Sequence, residues 1–233
     1  MAASPMPSAC VFDAYGTLFD LASATEACRD VLGDRTDPLS RLWRDKQLQY
    51  TWLRTLQGRH ADFRQVVGDA LDYALDELGL DARLREPLMS LFLTLQPFPE
   101  AGDCLRRLKA SGVRTAILSN GAPDMLAPLV SGAGFDGLLD HVLSVEQAQV
   151  FKTHPRAYQL AIDALQAPPG SIVFVSSNGW DAYGAADFGM RVAWCNRYGQ
   201  RPERLPGRPE WRIASLAELP GCVLAGAADA GEA

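Results

Sequence analysis

Short apolar runs alternate with stretches of helical periodicity through the second half of this chain. Together with a run near the start, they predict strands at 9–12, 114–119, 141–144, 172–176 and 191–196. Helices fall between the later strands. Pro155 opens one, with Tyr158, Ala161, Ile162 and Leu165 on its apolar face, and another follows Asp181 and stops near Gly189. Strands alternating with helices are the pattern of a parallel α/β sheet.

The interval from Asp20 to Leu95 carries helix patterns and no strand. Asp37-Pro38 reads as a cap and first turn, starting a helix with Leu39, Leu42, Trp43, Tyr50, Leu53 and Leu56. Phe63, Val66, Val67, Ala70, Leu71, Ala74, Leu75 and Leu78 repeat at helical spacing before a stop at Gly79. A third pattern runs through Leu84, Leu88, Leu91, Phe92 and Leu95, and Pro97-Phe98-Pro99 marks the return to the sheet. The expected architecture is therefore a Rossmann-like parallel sheet core, residues 1–19 and 96–233, with an all-helical cap inserted at 20–95. Four expected strands end on polar residues: Asp13, Ser119-Asn120, Ser176-Ser177-Asn178 and Asn196. Ligands of open α/β sheets bind outside the carboxyl ends of the strands, so a site is expected there.

Composition narrows the partners. The 233 residues are 48% hydrophobic and carry a formal net charge of -6, which gives no basic nucleic-acid footprint. No apolar stretch approaches the ~20 residues a membrane helix needs, and the N-terminus lacks the charge and apolar core of a signal peptide. The five cysteines, Cys10, Cys28, Cys104, Cys195 and Cys222, are dispersed with no CxxC, which reads as reduced thiols in a cytoplasm. His60, His141 and His154 show no metal-ligand spacing. The Ala/Gly-rich end after Leu224 reads as a frayed tail.

The candidate chemistry begins at Asp13. The run Cys10-Val11-Phe12 delivers it to a strand end, and Gly16-Thr17 turns the chain behind it. An Asp so placed can act as a nucleophile, or can simply cap the turn. Two residues on, where a phosphate-transferring relative would place a second Asp, this chain has Tyr15. The exchange removes an acid/base group, adds an aromatic wall, and points toward attack on carbon.

The ordered motifs resemble the haloacid dehalogenase superfamily and, within it, the L-2-haloacid dehalogenases. The matching stretches run from Phe12 to Asp20, from Leu42 to Arg54, from Ile117 to Gly121, from Val150 to Lys152 with Tyr158 following, and from Phe174 to Asp181. The second and last are specific to the dehalogenases; the others are generic to the superfamily. The chain departs from the pattern at Thr153, where the family usually has Pro.

The resemblance implies hydrolysis of (S)-2-haloalkanoic acids to (R)-2-hydroxy acids with inversion. Asp13 would form an ester with the substrate carbon, and water would then release it. Thr17 would orient Asp13. Arg44 would bind halide or carboxylate, although an Arg on an amphipathic helix is by itself usually a solvated surface charge. Asn120 and Trp180 would complete the halide cradle; the plain alternative for Trp180 is core packing. Ser119 would hold the substrate carboxylate, or serve only as a turn residue. Lys152 would keep Asp13 ionised, since a nearby cation favours a carboxylate. Asp181 would hold Lys152 and help activate water, with Ser176 and Asn178 positioning groups nearby. Tyr158 suits a core role as well as a site role. Tyr15, Leu48 and Phe63 would form an apolar wall, and Phe63 also fits a core position.

The alternative is a phosphatase of the same superfamily. Such relatives typically have Asp at the Tyr15 position and Gly-Asp at Ser176-Ser177, so two acidic positions are gone, and no metal or cofactor is expected. A non-catalytic protein with the same fold is disfavoured by the joint presence of Asp13, Lys152 and Asp181. The expected partners are a small 2-halocarboxylic acid and water, with no nucleic acid and no membrane, and the resemblance suggests a homodimer.

Overall fold

A computed structural model of the chain describes residues 5–21 and 29–225. Cys28 and most of the Ala/Gly-rich end lie outside the described residues. Six strands form one parallel sheet in the order β3-β2-β1-β4-β5-β6. They are β1 (Ala9–Phe12), β2 (Arg114–Ser119), β3 (His141–Ser144), β4 (Ile172–Ser176), β5 (Arg191–Cys195) and β6 (Trp211–Ile213). All four residues of β1 are fully buried, because it lies between β2 and β4 at the sheet's centre. The strand order reverses there, which is where open α/β sheets place ligands.

The helices are α1 (Arg29–Leu32), α2 (Thr36–Gln57), α3 (Phe63–Glu77), α4 (Arg85–Leu91), α5 (Ala101–Ala110), α6 (Pro123–Gly132), α7 (Pro155–Leu165), α8 (Gly179–Asp187) and α9 (Leu219–Leu224). The first four form the insertion between β1 and β2. In α3 every apolar residue of the expected stripe from Phe63 to Leu75 is buried. Its start is set by Asp62, whose side chain accepts from the Gln65 backbone N–H. The chain leaves the sheet through 17–20 and returns through 96–98. The two crossings are fastened to each other by Asp20 N–H to the Gln96 carbonyl at 2.8 Å and Phe98 N–H to the Leu18 carbonyl at 2.9 Å.

Four boundaries differ from expectation. Helix α2 starts at Thr36, whose hydroxyl donates to the Gly33 carbonyl at 2.8 Å, while Asp37 pairs with Arg29 instead of capping. Helix α4 ends at Leu91, because Phe92, Leu93 and Thr94 turn tightly onto the carbonyls three residues back. Helix α8 starts at Gly179, so Asp181 sits within its first turn. Strand β5 stops at Cys195; the Asn196 amide turns to close a small loop onto Gln200. The short edge strand β6 was not expected, since Trp-Arg-Ile has no run long enough to mark a strand.

Candidate active site

Three strand ends and one helix converge at the carboxyl edge of the sheet. Asp13 follows β1 directly, and its backbone N–H bonds the Val175 carbonyl of β4 at 2.9 Å, which fixes its direction. One carboxylate oxygen accepts from Lys152 Nζ at 3.1 Å. The other accepts from Asn178 Nδ2 at 2.8 Å and from the Thr17 hydroxyl at 3.1 Å. Thr17 is itself held by the Ser177 backbone N–H at 2.8 Å. The three bonds from Lys152, Asn178 and Thr17 all use the Asp13 side-chain oxygens as acceptors.

Lys152 Nζ also lies 2.9 Å from Asp181, so one buried ammonium is shared by two carboxylates. Burial works against the Lys152 charge, but Asp13 and Asp181 together outweigh it and hold its pKa above the ordinary lysine value. Asp181 is pushed up to about 6, first by burial and then by the repulsion of Asp13, with Lys152 and Tyr158 pulling the other way. The Tyr158 hydroxyl donates to Asp181 at 2.8 Å, and its ring meets Phe174 edge-on at 5.7 Å. Its ring is buried in the core while its hydroxyl reaches Asp181. Burial, then the Asp181 charge, raises the Tyr158 pKa well above the usual value, so this hydroxyl remains a donor.

Loops supply the remaining order. The Asn120 side-chain oxygen accepts the Lys152 backbone N–H at 3.0 Å. Ser119 Oγ accepts from the Gly121 N–H at 3.0 Å, and Ser176 Oγ from the Asn178 N–H at 3.1 Å. Each hydroxyl shapes the turn that follows its strand.

The insertion contributes the opposite wall. Arg44 on α2 donates to the Asn178 side-chain oxygen, joining helix to sheet. Burial lowers its pKa from the usual arginine value, opposed by Asp13, Tyr198 and Asp45. Asp45 itself is exposed. Tyr15 packs against Phe63 at 5.8 Å and Phe92 at 6.0 Å, and its hydroxyl is buried without a partner. Gly121 admits that ring: a Cβ there would lie 2.8 Å from it. A cleft of about 200 Å³ opens beside Arg44, Asn178 and Gly16. Trp180 lies on another flank, bordering a separate groove with Thr153 and Leu205; its ring meets Trp52 edge-on at 5.7 Å. Leu48 is half-buried on α2 and does not border the cleft.

A family model for haloacid dehalogenase-like hydrolases matches residues 7–189. The (S)-2-haloacid dehalogenase of Pseudomonas sp. strain YL is 46% identical over 207 residues, covering 88% of this chain and 89% of that protein. The chain belongs to the haloacid dehalogenase-like hydrolases, in their (S)-2-haloacid dehalogenase branch. In the same branch, the solved L-2-haloacid dehalogenase from Xanthobacter autotrophicus with chloropropionic acid covalently bound is 38% identical. It aligns with a TM-score of 0.87 over 98% of this chain and 100% of that one. The haloacetate dehalogenase H-2 of Moraxella sp. strain B is 40% identical over 211 residues, covering 88% of this chain and 92% of that protein.

Several residues bordering the cleft were not among the expected site residues. Tyr198 and Gln200 reach the cleft from the loop after β5, and Ser40, Trp43 and Gln47 reach it from α2. The Gln47 position was readable in principle: it is a polar residue four positions after Trp43 on the buried stripe, and it is itself buried.

Proposed function

We propose that the chain hydrolyses (S)-2-haloalkanoic acids to (R)-2-hydroxy acids and halide, through an ester on Asp13. The observation that carries this reading is the state of Asp13. Its carboxylate accepts from Lys152, Thr17 and Asn178, the last of which borders the cleft beside Arg44, and Tyr15 stands where a second acid would serve phosphate transfer.

In the first step an Asp13 oxygen attacks the substrate Cα from the face opposite the halogen. The carbon–halogen bond breaks, the halide leaves with the bonding pair, and Cα inverts. Arg44 faces the departing halide or the substrate carboxylate, with Asn120 on the halide side and Ser119 on the carboxylate side. Phe63 and Tyr15, packed against each other, form an apolar wall for the alkyl group. Residues 20–95 act as a cap domain that brings Arg44 to the sheet. In the second step water adds to the Asp13 ester carbonyl and gives up its proton to Asp181. The hydroxy acid leaves with the oxygen that Asp13 contributed.

Esterification also prepares the base. The ester has no charge, so the repulsion that raises the Asp181 pKa disappears while Lys152 remains beside it. The Asp181 carboxylate is thus favoured when a proton acceptor is needed.

The acids of this site favour a reaction without a divalent metal. Asp13 and Asp181 direct their oxygens to Lys152, Thr17, Asn178 and Tyr158, and the phosphatase acids are replaced by Tyr15 and Ser177. Activity is expected to survive exhaustive chelation. The free buried thiols of Cys10, Cys104 and Cys195 support a reducing, cytoplasmic setting. The exposed Trp52, Leu53 and Leu56 on α2 support a homodimer, which sedimentation would read.

The deciding experiment is a single turnover in ¹⁸O-water with enzyme in excess of (S)-2-chloropropionate. The label should enter Asp13 and leave the first product unlabelled. Label in the first-turnover product would show direct attack by water, and absence of halide release from either enantiomer would overturn the reading entirely.

A further inference from the structure

Arg197 lies where the two crossings between the sheet and the helical insertion meet. It comes two residues after the end of β5. One guanidinium nitrogen donates to the Thr17 carbonyl at 3.1 Å, and another pairs with Glu100 at 2.5 Å. The guanidinium carbon lies 3.7 Å from the centre of the Phe98 ring, close enough for a cation–π contact. Glu100 is anchored in turn by the Ser215 hydroxyl at 3.1 Å. The Arg197 side chain is only 10% exposed, and its Nε is buried without a partner.

A buried guanidinium with one N–H unpaired is a costly way to fill space. A planar fork able to grip a carbonyl, a carboxylate and a ring at once explains why arginine stands here rather than lysine. What it grips matters for the reaction, because the Thr17 hydroxyl donates to Asp13. A displaced Thr17 backbone displaces that donor. Thr17 belongs to the outgoing crossing, and Phe98 and Glu100 to the returning one and its continuation.

We propose that Arg197 is a positioning residue for the nucleophile: it ties the Thr17 carbonyl, and through the Thr17 hydroxyl the Asp13 carboxylate, to the return crossing at Phe98 and Glu100. The kinetic part of the proposal rests on the dehalogenation reading; the structural part does not.

The test uses the full chain with Arg197→Met and Arg197→Lys. It measures kcat and KM on (S)-2-chloropropionate, and amide hydrogen exchange across 14–20, 96–100 and β3. In Arg197→Met kcat should fall about 100-fold, the scale of a loss of positioning of about 1 Å. KM should stay within about threefold, since substrate-binding groups are untouched. Exchange should quicken in both crossings and stay unchanged in β3. Arg197→Lys should recover about tenfold of the loss, because one donor and the charge return without the fork. A kcat within about twofold of the parent, or a loss matching only the unfolded fraction, would overturn the proposal.

Should Arg197→Met fail to fold, Glu100→Gln keeps the Thr17 contact and weakens only its anchor. Faster exchange at 14–20 is then the expected result, and unchanged exchange there overturns the proposal. If the parent enzyme releases no halide, the dehalogenation reading fails by itself. Exchange in the two crossings of Arg197→Met then decides the positioning role alone.

Discussion

The two walls of the site are built on opposite principles. On the sheet side, Asp13, Lys152, Asp181 and Tyr158 form a closed cluster in which each charged group is buried and bonded. On the insertion side, Arg44 reaches across from α2 to Asn178 on the sheet side and borders an open cleft. The closed side holds its ionisable groups in a fixed arrangement before substrate arrives. The open side leaves a cation available to an anion from outside. A reaction that needs a prepared nucleophile and a place for a departing halide requires both.

The sharpest way to break this contrast is at Asp13. Asp13→Asn keeps the shape and removes the anion, and halide release should fall by roughly 10⁴-fold or more, the scale seen when a nucleophile is deleted. Parent-like release would remove Asp13 from the mechanism and make the closed cluster merely structural.

Lys152→Met should follow. It strands two buried carboxylates, Asp13 and Asp181, without their shared cation. Loss of one partner from a buried ion cluster costs ~3–5 kcal/mol, so chemical denaturation should show reduced stability together with lost activity. Arg44→Met is the matched change on the open side. Activity should fall about 100-fold while stability stays within about 1 kcal/mol, because only one bond at a half-buried site is lost. If Arg44→Met destabilised as much as Lys152→Met, the distinction between the two walls would collapse.

The contrast also explains which parts of the site were legible in the sequence. Asp13, Ser119, Ser176 and Asn178 follow directly from buried apolar strands, and a strand end is local information. The stripe of α3 was equally local. Asn120 holding the Lys152 backbone joins residues 32 positions apart, and the Arg44–Asn178 bond spans 134 positions. Periodicity cannot carry such pairings; the motif resemblance brought those residues together without specifying their bonds. Tyr198, Gln200 and Arg197 come from a loop after β5 with no periodicity at all, so only tertiary structure reveals them. Edge strand β6 is hidden for a different reason: three residues give too short a run to read.

The smallest expected effect gives the finest view of the closed side. Asp181 can accept a proton from water only as a carboxylate, and in the free enzyme its pKa is pushed up to about 6. Activity at limiting substrate should therefore fall as pH drops through that value. The stability linkage has the opposite sign. A carboxyl raised in the folded state contributes its stability below its unfolded pKa and loses it as pH rises through about 6. The ionised Asp181 that catalysis needs is thus the less stable form of the fold. Tyr158 moderates this conflict, because its hydrogen bond favours the carboxylate. Tyr158→Phe removes that bond and keeps the ring against Phe174. The acid limb of kcat/KM should move to higher pH, with a loss at pH 8 of no more than about tenfold, the value of one hydrogen bond to a charged group. A limb that stays in place while the rate falls uniformly would assign Tyr158 to packing alone and leave Asp181 without a tuned role.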